Sequence, residues 1–292
     1  MKYRLLNTIG GKGEGREQFA RTLRDVAIDR AGLVYCVGDT QIKVFDLEGR
    51  LRRSWQTSKP AYCITVASDG TVYAGQAGQI EIFDRSAKLV ATWRDEERLK
   101  IVTAIALTDE DVLVGDARHR CIRRFAKSGE FKNNIGDNTR RKGFIIPNGY
   151  LVFAVDSKNV IHAAHPGKHR VERYSLDGEL LGRFGRFDGR DPEGFAGCCN
   201  PTNLTLASDD TVIVTEKAEP RVKTYDEQGK LISVIADEGF DPNCKNMGVA
   251  VDARGRIYVV DTVRLHVRVF AAQVASNKTE PARSTPTGAS RS

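Results

Sequence analysis

Two adjacent cysteines, Cys198 and Cys199, stand in the segment GFAGCCNPTN and are the side chains of this sequence best suited to chemistry. Thiolates bind soft divalent metals such as zinc, and two neighbouring thiols can act as a redox pair. On an extended segment, adjacent side chains point in opposite directions, so packing alone gives little reason for the pair. Which other side chains lie near these thiols depends on the strands and loops that position them.

The sequence contains six copies of one repeat. Each copy has a short apolar strand, a polar turn, a second β-rich strand and an alternating strand that ends in an aromatic residue, as in IKVFD, IEIFD and VKTYD. A fourth strand follows a turn that contains glycine or a small residue. Equivalent positions recur about every 45 residues, the length of a four-stranded propeller blade. In the first strands these positions are Ile28, Val66, Leu107, Val155, Leu206 and Val251.

The pattern therefore predicts an all-β, six-bladed β-propeller, and the ends of the repeat region indicate how the ring closes. The sixth copy stops at VRVFAAQ without a fourth strand, whereas YRLLNTIG near the N-terminus resembles ELLGRFG, the fourth strand of the fourth copy. We expect residues 3–9 to supply the outer strand of the last blade. The propeller then spans residues 3–274, and the polar, proline-bearing residues 275–292 are expected to form a disordered tail.

The composition argues against a membrane segment and against nucleic acid as a partner. No run of 18 apolar residues occurs, so no transmembrane helix is expected. The 45 Lys and Arg residues exceed the 38 Asp and Glu residues by only seven, and they are spread along the chain. The start MKYRLLNTIG shows no signal peptide, so we expect a cytoplasmic protein, and we also expect a monomer. If the N-terminus was trimmed, the location would be periplasmic or extracellular.

The blade sequence VAVDARGRIYVVDTVRLHVRVF resembles an NHL repeat, and residues 3–270 resemble a six-bladed NHL propeller. The segments GFIIPNGYLVFAVD, HPGKHRVERY, GFAGCCNPTN and TEKAEPRVKTYD look like those of a bacterial subgroup with a GCCNP segment. NHL propellers include binding platforms, RNA-binding proteins and a few zinc-dependent lyases, so the resemblance implies a fold and leaves the function open. An obvious set of three histidines, as in those lyases, is missing, and their activity is not carried over.

Propeller geometry places the candidate residues on one face. The loop before the first strand and the loop after the second strand of each blade lie on the same side, which we call the mouth face. Positions seven residues before the first-strand markers are occupied by Arg21, Lys59, Lys100, Asn148, Cys199 and Cys244. The ends of the second strands add Asp39, Gln76, Asp116, His165, Glu216, Lys217 and Asp261.

We therefore expect Cys198, Cys199, Cys244 and His165 near the mouth of the central channel, where they would suit a divalent transition metal such as zinc, or a redox pair. Two other interpretations remain open, because the sequence contains no CxxC motif. The cysteines can pack as small apolar residues, or Cys199 and Cys244 can form a disulfide. A reducing cytoplasm disfavours that disulfide, whereas an exported protein would favour it.

A second candidate site lies in the loops of the fourth and fifth copies. These loops carry a cluster of charged side chains, Lys168, Arg170, Glu216, Lys217 and Arg221. The cations of such a cluster could hold a carboxylate or phosphate group through charge-assisted hydrogen bonds. Because cations and carboxylates alternate here, Arg–Glu pairing between blades is the competing interpretation.

Three functions from different classes fit these patterns. The first is a binding module that recognises a small anionic ligand or a protein segment on the mouth face. The second is a metal-dependent or thiol enzyme that uses Cys198, Cys199, Cys244 and His165. The third is an RNA-binding propeller, which is disfavoured because few mouth-face loops carry aromatic residues beside Arg or Lys.

Overall fold

The computed structural model describes residues 2–137, 143–217, 219–236 and 238–273. These residues form six four-stranded antiparallel sheets, which are the blades of a β-propeller. The predicted fold class is confirmed. In the described ranges, no helix is long and apolar enough to cross a membrane.

Each blade runs from a first strand at the central channel to a fourth strand at the outer edge. In that order, the strands of blades 1 to 3 are β2 (Asp25–Ile28), β3 (Val34–Gly38), β4 (Gln41–Phe45) and β5 (Leu51–Gln56); β6 (Ala61–Val66), β7 (Val72–Gln76), β8 (Gln79–Phe83) and β9 (Leu89–Arg94); and β10 (Val102–Leu107), β11 (Asp111–Asp116), β12 (Cys121–Ala126) and β13 (Phe131–Ile135).

The strands of blades 4 to 6, in the same order, are β14 (Phe153–Val155), β15 (Ile161–His165), β16 (Arg170–Tyr174) and β17 (Leu180–Phe184); β18 (Asn203–Leu206), β19 (Val212–Glu216), β20 (Arg221–Tyr225) and β21 (Leu231–Ala236); and β22 (Val249–Val251), β23 (Ile257–Asp261), β24 (His266–Ala272) and β1 (Tyr3–Gly10). A turn of 3-10 helix, Pro166–Lys168, connects β15 to β16.

The repeat locates single strands correctly. Each residue used to align the six copies is the last residue of its first strand, and these residues are Ile28, Val66, Leu107, Val155, Leu206 and Val251. The reason is that each copy buries its apolar residues in the same way. The period of the sequence therefore follows the period of the packing.

Apolar clusters between neighbouring blades form the core. Between blades 1 and 2, for example, Val37 and Ile42 pack against Ile64 and Val72. Corresponding clusters of described residues lie at the other contacts around the ring, including the contact between blades 6 and 1. Because each cluster draws side chains from two blades, each blade relies on its neighbours to bury its apolar side chains.

The N-terminal strand closes the ring, as the sequence predicts. Strand β1 pairs antiparallel with β24, with Tyr3 opposite Ala272 and Gly10 opposite His266. Ile9 of β1 is buried in the cluster between blades 6 and 1. The predicted tail, residues 275–292, lies outside the described residues.

The first strands of all six blades line a central channel of about 260 Å³. Its wall is made mainly of small and β-branched side chains, together with Asn203 and the carboxyl group of Asp25. The channel is therefore narrow, and the loops of the mouth face surround one of its two openings.

Candidate functional site

A charged side chain occupies the same position of the third strand in every blade. It stands two residues before the aromatic residue that recurs in each copy of the repeat. In chain order these side chains are Lys43, Glu81, Arg123, Glu172, Lys223 and Arg268. Each lies near the residue that follows or ends the second strand of its own blade, and those partners are Asp39, Gln76, Asp116, His165, Glu216 and Asp261. A cation lies near a carboxylate, and a glutamate lies near Gln or His. Each pair therefore combines a group that can donate a hydrogen bond with one that can accept it, and we call these the matched pairs.

These matched pairs attach the mouth-face loops to the blades. The carboxylate of Asp39 accepts the backbone N–H groups of Arg21 at 2.9 Å and Thr22 at 2.7 Å. In blade 5, Nζ of Lys223 donates to the carbonyl oxygens of Pro192 at 2.9 Å and Gly194 at 2.6 Å. Buried charges and loop backbone groups satisfy each other in this way, which stabilises the loops that surround the channel.

His165 belongs to one of these pairs. Its Nδ1 lies 2.9 Å from Oε2 of Glu172, and its Nε2 accepts the backbone N–H of Ile145 at 2.9 Å. The second hydrogen bond places the ring proton on Nδ1, which donates it to Glu172. Burial lowers the pKa of His165. The ring is therefore a neutral loop anchor, and neither nitrogen is free to bind a metal.

Three cations of the predicted cluster in blades 4 and 5, Lys168, Arg170 and Arg221, are likewise paired with carboxylates. Arg170 binds the carboxylate of Glu172, and Nζ of Lys168 lies 3.7 Å from it. The guanidinium of Arg221 lies 2.8 Å from Oε2 of Glu216. The cations and carboxylates of this cluster thus pair within a blade, whereas the exposed ion pair of Lys158 with Glu227, at 3.0 Å, joins blade 4 to blade 5.

The predicted metal ligands are not brought together. Cys198 is exposed and Cys199 is buried, and their Sγ atoms lie 3.1 Å apart. The thiol of Cys244 donates to Oδ1 of Asp261 at 3.3 Å, and burial, followed by the charge of Asp261, raises its pKa to about 11. All six cysteines are free thiols. Among the described residues, no group of three His, Cys, Asp or Glu side chains is placed to hold a metal ion.

A pocket of about 350 Å³ lies at the channel mouth, between loops of blades 1, 4 and 6. Its lining includes three cations, Arg21, Arg24 and Lys245, and no aspartate or glutamate among the described residues. Neutral groups that can donate hydrogen bonds belong to Thr22, Asn148, Tyr150, Asn243, Asn246 and Thr262, and Leu23 and Val263 add apolar surface. The pocket therefore presents hydrogen-bond donors and positive charge to whatever enters it.

Arg24 crosses the mouth of the channel. Its Nη1 donates to the hydroxyl oxygen of Tyr150 at 3.2 Å, which joins blade 1 to the loop of blade 4. The guanidinium also lies 4.8 Å from the centroid of the Tyr62 ring, within the range of a cation–π contact. The buried Nδ2 of Asn148, in the same lining, has no hydrogen-bond partner among the described residues. The site thus contains an oriented guanidinium and an unused donor.

The sequence indicated part of this pocket. Alignment of the repeats placed Arg21 and Asn148 on the mouth face, but it missed Arg24, Tyr150 and Lys245. Those three residues lie in the same loops, one to three positions further along the chain. Considering every residue of each loop, and not one per blade, would have found them.

Comparison with known proteins identifies the architecture. No protein-family model matches the sequence, and no curated protein does. A streptogramin B lyase is similar, with a TM-score of 0.61 and 11% identity over 85% of this chain and 92% of that chain. A catalytically inactive virginiamycin B lyase from Staphylococcus aureus, solved with quinupristin, has a TM-score of 0.62 and 11% identity over 93% of this chain and 99% of that chain.

The WD40 β-propeller domain of Doa1 is similar to the same degree, with a TM-score of 0.61 and 13% identity over 93% of this chain and 97% of that chain. Two of these structures are lyases and the third is a WD40 domain, and their identities to this chain are only 11–13%. The likeness therefore shows the fold alone. On the structure and these comparisons, the chain is a six-bladed β-propeller.

Proposed function

We propose that the protein is a binding propeller that holds a small anionic ligand, or an anionic segment of a protein partner, at the channel mouth. The observation that carries the proposal is the charge of the mouth pocket, which Arg21, Arg24 and Lys245 line with no carboxylate among the residues that the structure describes. Its volume of about 350 Å³ lies within the range of small-molecule sites, roughly 300–1,000 Å³.

Arg24 supplies the directional part of this recognition. A guanidinium presents a planar fork of N–H donors that matches the two oxygens of a carboxylate or phosphate group. The contacts with Tyr150 and Tyr62 hold the side chain across the mouth, so little further ordering is required when an anion binds. The unpartnered Nδ2 of Asn148 offers another donor in the same pocket.

The cations of blades 4 and 5 have a different role in this proposal. Arg170 and Arg221 are bound to glutamates whose side chains are buried, so both guanidinium groups already have an anionic partner. Lys217 lies beside the Cys198 thiol. We therefore assign the anion to the mouth pocket and the blade 4 and 5 cations to the attachment of loops.

The resemblance of the repeats to NHL propellers supports a binding role, because that group includes binding platforms. The enzyme alternative has less support, because Cys244 and His165 are committed to Asp261 and Glu172. The RNA alternative shares the positive charge of the mouth and is separated from our proposal by experiment.

Isothermal titration of the full chain with inorganic phosphate, citrate and a hexa-aspartate peptide tests the proposed function. We expect binding of at least one of these anions, and we expect Arg24→Gln to weaken it by about tenfold, the effect of losing a hydrogen bond to a charged group. Lys245→Gln should weaken it as well. Lys88→Gln is the matched control, because Lys88 is exposed in the turn between β8 and β9, on the opposite face.

Higher salt should weaken the binding, since the attraction is electrostatic. The proposal fails if none of the three anions binds, or if Arg24→Gln binds them as tightly as the unchanged chain. Tighter binding of a single-stranded RNA oligonucleotide than of every small anion would overturn it in favour of RNA recognition.

A further inference from the structure

The adjacent thiols of blade 5 converge, although adjacent side chains on a strand diverge. The loop before β18 bends at residues 197–199, and Gly197 has a φ of +71°. This left-handed conformation suits glycine and turns the chain so that the two side chains meet. The Sγ atoms of Cys198 and Cys199 lie 3.1 Å apart as a result.

Asn200 holds this loop against the end of β19. Its Oδ1 accepts the backbone N–H of Lys217 at 2.8 Å, and its Nδ2 donates to the carbonyl oxygens of Lys217 at 3.1 Å and Ala196 at 2.6 Å. The side chain of Asn200 is almost fully buried. The pair of thiols and Lys217 are therefore kept together by the fold.

The two thiols are chemically unequal. Cys198 is exposed, and the hydrogen bond with Cys199, followed by the charge of Lys217, lowers its pKa. Cys199 is buried, and burial raises its pKa. An accessible thiolate beside a second, protonated thiol is the arrangement of reactive cysteines that are oxidised selectively and then form a disulfide.

We propose that Cys198 and Cys199 are an oxidation site that reacts with hydrogen peroxide or an organic hydroperoxide and forms a reversible disulfide within the loop. The proposal rests on the separation of the two sulfur atoms, the exposure of Cys198 and the position of Lys217. It is independent of anion binding at the channel mouth.

The reaction balances with the peroxide as the only oxidant. The thiolate of Cys198 attacks one peroxide oxygen, the S–O bond forms and the O–O bond breaks; hydrogen peroxide then releases hydroxide, which takes a proton to become water, and an organic hydroperoxide releases an alkoxide, which takes a proton to become an alcohol. The sulfur of Cys199 then attacks Sγ of Cys198, the S–S bond forms, and the S–O bond breaks. The hydroxyl group leaves with the proton of Cys199 as water. The dithiol loses two electrons, the peroxide gains them, and a thiol reductant reverses the change.

The other cysteines are protected from this reaction. Cys36, Cys63, Cys121 and Cys244 are buried, and burial is the largest cause of the raised pKa of each thiol. Hydrogen peroxide reacts with thiolates, so these four positions should stay reduced at low peroxide concentrations. Oxidation at low peroxide concentrations should therefore stop once the disulfide between Cys198 and Cys199 has formed.

Thiol titration with a chromogenic disulfide and peptide mass spectrometry test the proposal on the full, anaerobically purified chain. One equivalent of hydrogen peroxide should remove two of the six thiols, and the peptide with residues 198 and 199 should be lighter by two hydrogens. Dithiothreitol should restore both thiols. Cys199→Ser should stop the reaction at the sulfenic acid of Cys198, which dimedone labels.

Variants separate this site from general oxidation. Cys198→Ser should lose the fast reaction, whereas Cys244→Ser, the buried control, should keep it. Lys217→Gln should slow oxidation several-fold at neutral pH and little at alkaline pH, where the thiol ionises without help. The proposal is overturned if six thiols survive the peroxide, if Cys244 or another chain is in the disulfide, or if Lys217→Gln reacts at the unchanged rate at every pH.

Discussion

The charge state of Asp25 depends on its burial in the central channel. Its carboxyl group lies in the central channel and accepts the backbone N–H of Ile64 at 3.0 Å, which joins blade 1 to blade 2. A side chain at Gly248 of blade 6 would approach this carboxyl to 2.7 Å, so glycine leaves the space that it occupies. Burial raises the pKa of Asp25 to about 7.

This pKa predicts how stability depends on pH. Between about pH 4, the ordinary pKa of an aspartate, and about pH 7, the folded chain keeps a proton that the unfolded chain has lost. The free energy of unfolding should therefore fall as pH rises through this interval and change little above it. Asp25→Asn should remove this part of the dependence, because the amide does not ionise and still accepts the Ile64 N–H.

Urea unfolding at pH 5 and pH 8 measures the effect. The unchanged chain should lose more stability between these two pH values than Asp25→Asn does. Asp109→Asn, at an exposed aspartate in the turn between β10 and β11, is the control and should behave like the unchanged chain. The prediction would be contradicted if the free energy of unfolding of Asp25→Asn depended on pH as strongly as that of the unchanged chain.

At the scale of the strands, every blade repeats one arrangement, in which a charged side chain on the third strand lies near its partner at the end of the second strand. Blade 5 shows its full form: Lys223 and Glu216 are both fully buried and bound to each other, and Lys223 also binds two loop carbonyl groups. In blade 2 the third strand carries a negative charge instead of a positive one, and Glu81 accepts a hydrogen bond from Gln76 at 2.9 Å. The charge on one strand therefore determines which residue the other strand can carry.

The stability of blade 5 should follow this matching. Lys223→Glu places a second carboxylate against Glu216, and removing one partner of a buried pair costs about 3–5 kcal/mol. Adding Glu216→Gln creates the pairing found in blade 2 and should recover part of the loss. Urea unfolding of the two single variants and the double variant gives the coupling energy. The prediction would be contradicted if the effects of Lys223→Glu and Glu216→Gln on the free energy of unfolding were additive.

The same pairs explain what could be predicted from the sequence. The strands were found because every blade repeats its apolar positions, and Leu206 or Val251 therefore ends a first strand as expected. The role of His165 was not found, because its partner Glu172 is defined by the register of β15 with β16. One indication was present in the sequence. In every copy with a cation at this position of the third strand, the residue that ends or follows the second strand is an aspartate or a glutamate.

The mouth pocket was harder to predict because it depends on the whole ring. Arg24 and Tyr150 are separated by 126 residues and belong to blades 1 and 4, which are not neighbours along the chain. Repeat alignment places a residue on a face but does not show which loops meet across the channel. The adjacent cysteines were recognised from their spacing, whereas their separation from Cys244 and His165 followed only from the loop contacts.

At the scale of the whole molecule, closure depends on one pairing between the ends of the repeat region. Strand β1 covers β24, which would otherwise be an exposed edge strand, and Ile9 fills the cluster between blades 6 and 1. The apolar clusters join each blade only to its neighbours, so we expect a loss at this seam to weaken both blade 6 and blade 1. The seam should therefore be sensitive to changes that elsewhere on an outer strand would be tolerated.

Substitutions on β1 test this sensitivity without removing the strand. Ile9 is 1% exposed, so Ile9→Ala should cost about 2–5 kcal/mol of unfolding free energy, as buried truncations do. Leu5 is 45% exposed on the same strand, so Leu5→Ala should change the stability by about 0.5 kcal/mol or less. Deletion of residues 3–9 should lower the melting temperature further than either substitution. Thermal and urea unfolding provide the comparison, and an unchanged melting temperature after the deletion would show that the ring closes without β1.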